Sequence, residues 1–223
     1  MKTLDGNAVR TQRTRQRVLA ESLRLFNEQG EANVTTGMIA DSLDISPGNL
    51  YYHYRNKDEI VERLFRQFAE RMDVEPDIAA DAPSLIEDLW LYLHLTFEAI
   101  WEYRFLYRNL DDLLSRNRKL KAHFNRIAER KYQGIVTLCE AMVRVRAMNA
   151  GAEEIRALAR NILVVATYWL NFDSLRERRG HAGDGLGQGA YQVMSLVAPY
   201  LAGEARRHLG ELSRAYIRES PAR

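Results

Sequence analysis

The scarcity of chain-breaking residues constrains this fold more than any other feature. The 223 residues include thirteen glycines and five prolines, and no glycine occurs between Gly48 and Gly134. Apolar residues recur there at helical spacing, and no segment alternates apolar with polar residues as a half-buried strand would. With 46% apolar residues the chain can bury a sizeable core. The sequence therefore predicts an all-α protein of one large or two smaller domains.

The stretch from Thr35 to Lys57 has the features of two short helices joined by a tight turn. The first helix is predicted over residues 36–43, with Thr35 as its N-cap. Ser46 then caps the second helix. Pro47 suits the first position of that helix, because the N–H that proline lacks would have no helical partner there.

The second helix is predicted to keep two large residues for the core and to expose a polar surface. Leu50 and Tyr54 lie four residues apart and are expected to face the first helix. The exposed set, which can hydrogen-bond phosphates and base edges in a major groove, is Gly48, Asn49, Tyr51, Tyr52 and His53, flanked by Arg55 and Lys57. From these residues alone, the stretch could instead be a surface hairpin without a DNA-binding role, whose tyrosines only cover the core.

The run from Arg13 to Lys57 resembles the N-terminal domain of the TetR family of bacterial repressors. The resemblance rests on Leu25-Phe26-Asn27-Glu28-Gln29-Gly30, Thr35-Thr36, Ile39-Ala40, Ile45 through Tyr54 and Asn56-Lys57. It implies a three-helix, helix-turn-helix DNA-binding domain followed by a helical domain that dimerises and binds a small-molecule effector. In that scheme a double-stranded DNA operator is contacted by Thr35, Thr36, Ser46, Pro47, Gly48, Asn49, Tyr51, Tyr52, His53 and Lys57.

Three segments follow from the pattern and the resemblance together. They are a helix-turn-helix domain over residues 1–55, a connecting helix over 56–73, and an effector-binding and dimerisation domain over 84–218. The acidic stretch that contains Pro76 and Pro83 marks the boundary before the last segment.

The net charge of +2 is too small to attract nucleic acid by itself, so a DNA site needs a local concentration of basic residues. Residues 1–24 hold six basic residues against two acidic ones, and the six are Lys2, Arg10, Arg13, Arg15, Arg17 and Arg24. At least one of them is expected to contact a phosphate. Basic first turns of solvated helices are also common.

The remaining composition predicts a cytoplasmic protein. Cys139 is the single cysteine, which excludes an intramolecular disulfide and suits a reducing compartment. No apolar run at the N-terminus predicts a signal peptide, and no segment is a credible membrane span.

One face of the helix predicted from Leu85 to about Tyr107 is aromatic. Its residues recur at i, i+4, i+7 and i+11, a continuous helical stripe. The pattern favours the centre of a core, whereas the resemblance favours one wall of an effector pocket. The candidate ligand-binding residues are Trp90, His94, Phe97 and Trp101, with Tyr168 from a later helix. The basic residues of the helix predicted over 118–147 are typical of a solvated face, and some of them would help to bind the effector if it were an anion.

The last third of the chain carries the predicted dimer interface. Residues 153–179 are predicted as a long apolar helix, and five glycines from Gly180 to Gly189 predict a flexible loop. The helix predicted from Ala190 to Leu201 is apolar all round and so must be buried on all sides. It is either a central core helix or, as the resemblance favours, a dimer interface shared with the preceding long helix, with Tyr191, Met194, Val197 and Tyr200 as its candidate residues.

Three runs are similar to a narrower group, the PhaD-like regulators that accompany polyhydroxyalkanoate storage genes. They are Tyr103-Arg104-Phe105-Leu106, Tyr191 through Leu201 and Asn27-Glu28-Gln29-Gly30-Glu31. This similarity implies an effector derived from fatty acids, such as an acyl-coenzyme A.

Other function classes have little support in the sequence. It contains no paired metal ligands, no nucleophile beside a base and no phosphate-binding glycine loop after a strand. We therefore predict no catalytic residues, no metal and no cofactor. A helical protein-interaction module that uses the helix-turn-helix geometry without DNA is the alternative.

Overall fold

Eleven α-helices account for most of the residues that the computed structural model describes, namely residues 3–76, 78, 81–175 and 185–219. The helices are α1 (Thr3–Gln29), α2 (Thr36–Ser42), α3 (Pro47–His53), α4 (Lys57–Met72), α5 (Ala82–Glu102), α6 (Arg104–Arg108), α7 (Leu110–Arg116), α8 (Arg118–Arg144), α9 (Ala152–Ser174), α10 (Gly185–Val197) and α11 (Gly203–Glu219). Within these ranges no strand forms, and one isolated antiparallel bridge joins Met148 to Leu201. The all-α prediction is confirmed.

No helix among the described residues combines the length and the apolar content that a bilayer crossing requires.

The chain divides into two compact units. The first consists of Met1–Glu70 and Tyr103–Lys121, and the second of Arg71–Glu102 and Ala122–Arg223. Helices α6 and α7 thus belong with the first seventy residues, although the boundaries drawn from sequence place them in the third segment.

Aromatic contacts hold the core of the first unit together. The ring centroids of Phe26 and Phe105 lie 5.2 Å apart. The ring of Phe68 lies 5.8 Å from Tyr103 and 5.8 Å from Tyr107. These three aromatic pairs join α1, α4 and α6, and the size of the rings constrains how the three helices pack against one another.

The helix predicted from Leu85 to Tyr107 is interrupted at Tyr103, which separates α5 from α6. The second residue of α6, Phe105, donates its backbone N–H to Asn27 Oδ1 at 3.0 Å. A side chain of α1 therefore satisfies a helix-start donor that would otherwise lack a partner. The break depends on a residue 78 positions earlier, which no local pattern could indicate.

The glycine-rich stretch before α10 corrects a second prediction. We expected a flexible loop from Gly180 to Gly189, but α10 begins at Gly185. The part of that loop before Gly185 lies outside the described residues. A Cβ on Gly189 would lie 2.6 Å from Phe97 Cε1 and 2.7 Å from Trp169 Cδ1. The glycine is needed because α10 packs closely against α5 and α9, and not because the chain turns there.

Candidate nucleic-acid interface

The two N-caps predicted from sequence hold α2 and α3. Thr35 Oγ1 accepts the N–H of Met38 at 3.2 Å, and Ser46 Oγ accepts the N–H of Asn49 at 3.2 Å. Between the helices Asp44 has a φ of 53°, a left-handed conformation that Asp tolerates better than most residues. Short-range chemistry therefore sets both helix starts and the turn between them.

Helix α3 presents its predicted polar surface to solvent. Leu50 and Tyr54 are buried, with 0% and 1% of their surface exposed, whereas Tyr51 and Tyr52 expose 51% and 78%. The other predicted contact residues on this hairpin are also exposed or half-exposed, namely Thr35, Thr36, Ser46, Pro47, Gly48, Asn49 and His53. The α2–α3 hairpin thus gathers nine of the ten predicted DNA-contact residues in one small surface.

Side-chain contacts organise this surface before any ligand arrives. The hydroxyls of Tyr51 and Thr36 lie 3.0 Å apart and share a hydrogen bond in which either can donate. The rings of Tyr52 and His53 meet edge to face, with centroids 5.1 Å apart. Because these rings are already oriented, less side-chain entropy is lost when they bind a partner.

The surroundings of His53 favour the uncharged form of its imidazole. Partial burial is the first cause that lowers the pKa of its imidazole below the usual value, and the nearby Arg15 guanidinium is the second. A neutral imidazole has one N–H donor and one acceptor nitrogen, so His53 can hydrogen-bond a phosphate oxygen or a base edge.

Lys57 is placed differently from the other candidates. Its Nζ donates to the backbone carbonyls of Glu31 at 2.9 Å and Val34 at 3.1 Å, and lies 2.9 Å from Glu31 Oε1. The Glu31 carboxylate, only 1% exposed, also pairs with Arg116 at 3.0 Å. Lys57 is therefore committed to partners within its own unit.

In the second unit, two residues of the aromatic face of α5 stack on each other, and a third is buried in the core. The rings of Trp90 and His94 are nearly parallel, 5.1 Å apart with an interplanar angle of 4°. His94 Nε2 lies 3.4 Å from Glu98 Oε1. Phe97 is buried, while Trp101 is half-buried. The structure thus brings Trp90 and His94 together, and places the fifth candidate, Tyr168, 45% exposed on α9.

Two of the predicted dimer residues are interior. Met194 and Val197 expose 2% and 0% of their surface, and Met194 Sδ lies 3.3 Å from Ser213 Oγ of α11. Neither side chain is accessible to a second copy of the chain. The apolar pattern named them because a helix buried by its own chain and one buried by a partner look the same in sequence. Tyr191 is exposed and Tyr200 half-buried.

Helix α9, which was expected to share the dimer interface, carries an exposed apolar stripe whose residues the sequence analysis did not assign to that interface. Val164, Tyr168, Phe172 and Leu175 expose 59%, 45%, 53% and 84% of their surfaces, and their spacing of 4, 4 and 3 residues puts them on one face. The opposite face, which includes Leu158 and Ile162, is buried. In the sequence, these residues form a second set of apolar positions at helical spacing, in a helix whose other apolar face had already been assigned to the core.

Chemistry of other kinds finds little support among the side chains. In the part of the chain that the structure describes, no group of three or more His, Cys, Asp or Glu side chains could hold a metal ion. Burial raises the pKa of the Cys139 thiol to about 12, with Glu140 as a second cause. That thiol is therefore unreactive at physiological pH.

Comparison with known proteins gives two family matches. Residues 18–64 match the family described as "Bacterial regulatory proteins, tetR family", and residues 58–209 match the TetR family described as "Bacterial transcriptional repressor". Together the two matches run from the middle of α1 into α11.

A solved structure of a TetR-family transcriptional regulator from Marinobacter aquaeolei VT8 is 33% identical, with a TM-score of 0.77, over 91% of this chain and 98% of that one. A putative transcriptional regulator from Saccharomonospora viridis, solved with choline, is 20% identical with a TM-score of 0.64, over 86% and 100% of the two chains, and shows the fold alone. Among curated proteins, the regulator AcrR of Shigella flexneri is 33% identical over 24% of this chain and 25% of its own length. The chain spans only about a quarter to a third of the length of curated relatives such as AcrR.

Proposed function

The chain belongs to the TetR family of bacterial transcriptional regulators, a family of DNA-binding proteins and not of enzymes, and on that premise we propose that it is a dimeric, ligand-responsive repressor. It holds a palindromic operator through α2 and α3 and releases it when a small molecule binds the second unit. The observation that carries this proposal is the exposed polar end of α3, with Tyr52 78% exposed beside a pre-oriented Tyr51. Such a protein acts in the cytoplasm, where the operator is.

Different residues of the α2–α3 hairpin supply the affinity for DNA and the recognition of its sequence. Thr35, Thr36, Tyr52 and His53 contact phosphates, which supply most of the affinity. Gly48, Asn49 and Tyr51 lie nearest to the base edges, and Ser46 and Pro47 set the start of the reading helix. Lys57 supports this surface from behind, because its ammonium already binds the carbonyls of Glu31 and Val34.

Dimerisation uses the exposed stripe on α9 together with Tyr191 and Tyr200. An apolar stripe of this length is costly to leave in water and is typical of a subunit interface. A two-fold dimer would place its two α3 helices about 34–36 Å apart, one turn of DNA or a multiple of it, which requires a palindromic operator.

The effector is a small hydrophobic or acyl-type metabolite. Trp90, His94, Phe97 and Trp101 of α5 supply a predominantly aromatic wall with one titratable group, which is the usual composition of an effector pocket. The similarity to PhaD-like regulators supports an acyl-coenzyme A. The effector releases DNA only by binding more tightly to a conformer that grips DNA poorly. A difference of about 100-fold, or about 2.7 kcal/mol per site, suffices for a usable switch.

A gel-shift experiment tests the proposal on the DNA immediately upstream of the protein's own gene, at one stated salt concentration near the physiological value. We expect a shift that medium-chain acyl-coenzyme A reverses. A shift that this ligand leaves unchanged would discard the effector and keep the repressor. If no shift occurs there, and random-sequence selection also recovers no binding site, the repressor proposal fails.

The Tyr52→Ala variant tests the reading surface itself. We expect it to bind the operator at least about tenfold more weakly, since a phosphate contact and an oriented ring are lost together. Tyr52→Phe is the matched control, because it keeps the ring and removes only the hydroxyl, so it should lose less. The dimer mass of both variants should equal that of the wild type. Unchanged affinity in Tyr52→Ala would contradict the assigned role of this residue.

A further inference from the structure

Helix α1 extends well beyond the part of it that packs into the first unit. The sequence pattern predicts a start near Arg10, but the helix begins at Thr3. Over residues 8–17 no side chain is buried, and burial within this stretch of α1 begins with Val18. Tertiary packing supplies most of the stability of protein helices, and residues 8–17 lack that packing.

The charges on this projecting segment are not neutralised by the residues that the structure describes. Arg10, Arg13 and Arg17 lie on one face, at spacings of three and four residues, and all three are exposed. No ion pair joins any of them to another described residue.

Arg24 provides the contrast, since it lies on the same face two turns later. Its guanidinium is 2.5 Å from Glu21 Oε1 and 2.6 Å from Glu28 Oε2. The positive charge available to a partner is therefore concentrated in the first half of α1, and the second half carries its own counter-charges.

The C-terminal end of this projecting segment, residues 8–17, lies beside the end of α3. The Arg15 guanidinium lies 5.2 Å from the centre of the Tyr54 ring, and the Tyr54 hydroxyl donates to the Arg15 carbonyl at 3.2 Å. Tyr54 immediately follows α3, next to Tyr52 and His53. A polyanion seated on the end of α3 would therefore continue along the first turns of α1.

We propose that the first half of α1 is a second DNA-binding element, in which Arg10, Arg13 and Arg17 contact backbone phosphates outside the groove entered by α3. This inference rests on the proposed function and lengthens its DNA footprint. Guanidinium groups suit phosphate because they donate several hydrogen bonds and keep their charge. A membrane surface fits poorly, because an interfacial helix needs an apolar face and Val9 is the lone large apolar side chain among residues 8–17.

The salt dependence of DNA binding measures these contacts directly. Each phosphate neutralised by a cation adds about 0.9 to the slope of log affinity against log salt. We expect the combined variant Arg10→Gln, Arg13→Gln, Arg17→Gln to lower that slope by about 2 to 3 and to weaken binding similarly for operator and non-operator DNA.

The matched control is Arg24→Gln, which removes the same charge from the same helix face. Because Arg24 is already paired with two carboxylates, its slope should equal that of the wild type. Fluorescence anisotropy of the full-length protein on its operator, at several salt concentrations, provides the slopes, and a thermal melt checks that both variants fold.

The outcomes separate this inference from the function on which it rests. An unchanged slope in the triple variant, or an equal loss in Arg24→Gln, overturns the inference and leaves the repressor intact. If the wild type binds no DNA at all, the proposed function fails and the inference fails with it. Loss of binding to vesicles rich in anionic lipid, with an unchanged DNA slope, would assign the segment to a membrane and also overturn the inference.

Discussion

Two polar residues near the end of α1 are buried because each has specific partners. Asn27 caps α6 through the N–H of Phe105, and Arg108 Nη1 donates to the Asn27 carbonyl at 3.0 Å. The Glu31 carboxylate is compensated by Lys57 and Arg116. In the sequence, Asn27 and Glu31 were informative only as part of the resemblance to known families. Their physical role is to fasten α6, α7 and the start of α4 to the helix-turn-helix.

Lys131 is the most buried cation among the described residues, with 4% of its surface exposed. Its Nζ donates to the Val74 carbonyl at 3.1 Å and lies 4.3 Å from the centre of the Tyr92 ring. Burial is the main cause that lowers the pKa of Lys131 to about 8; the neighbouring Arg130 adds to the effect, and Asp73 opposes it.

This environment predicts a pH dependence of stability. The unfolded chain, in which Lys131 has its ordinary pKa of 10.5, keeps a proton that the folded chain releases above pH 8, so unfolding takes up a proton. Raising the pH from about 8 to about 9.5 should therefore stabilise the wild type relative to Lys131→Met by on the order of 2 kcal/mol. Urea unfolding at fixed protein concentration measures this.

Lys121→Met is the control for that series, because Lys121 is an exposed lysine on the same helix. It should follow the wild-type pH profile. The comparison stops near pH 9.5, since burial raises the pKa values of Tyr92 and Tyr107 and their effect on stability has the opposite sign at higher pH. Parallel profiles for the wild type and Lys131→Met would contradict the prediction.

At the scale of elements, short-range signals predicted the capped helix starts better than they predicted interruptions. The predicted N-caps Thr35 and Ser46 each accept the N–H three residues later, and Asn56 does the same before α4. Gly189 misled the prediction because glycine serves two purposes, a turn and a close helix contact. Only the rings of Phe97 and Trp169 show which purpose applies here.

Two helical glycines of the second unit, Gly189 and Gly210, should respond to alanine in opposite ways. Gly189→Ala forces a methyl group against two buried rings, so we expect a loss of about 1–3 kcal/mol. In Gly210→Ala the new methyl meets only Arg214 Nη2, at 3.7 Å, and the better helix propensity of alanine should stabilise by about 0.5–1 kcal/mol. Chemical denaturation at one protein concentration tests both. Equal effects would mean that α10 does not pack as described.

At the scale of the whole molecule, the apolar stripe on α9 is the feature that a lone chain cannot explain. Phe172 lies within it and is 53% exposed. A charge introduced there would be buried without a partner in the proposed dimer, which costs several kcal/mol. We therefore expect Phe172→Asp to be monomeric and to bind the palindromic operator at least about 100-fold more weakly, because the two half-sites are no longer held by one particle.

Leu91→Asp serves as the control, since Leu91 is 47% exposed and belongs to α5, not to the α9 stripe. Sedimentation equilibrium should give a dimer for this variant and for the wild type. A dimeric Phe172→Asp protein would exclude the α9 stripe as the interface.

The helical class, the capped helix pair and the polar surface of α3 were predictable from the sequence, because each depends on residues within a few positions of one another. The TetR family, too, could be identified from that short stretch. Which apolar residues are interior and which remain on the surface became clear only from the packing of the helices. Met194 and Phe172 are equally apolar in a sequence, but one is enclosed by helices of its own chain and the other is not. Burial is a property of packing between distant segments, and no local pattern records it.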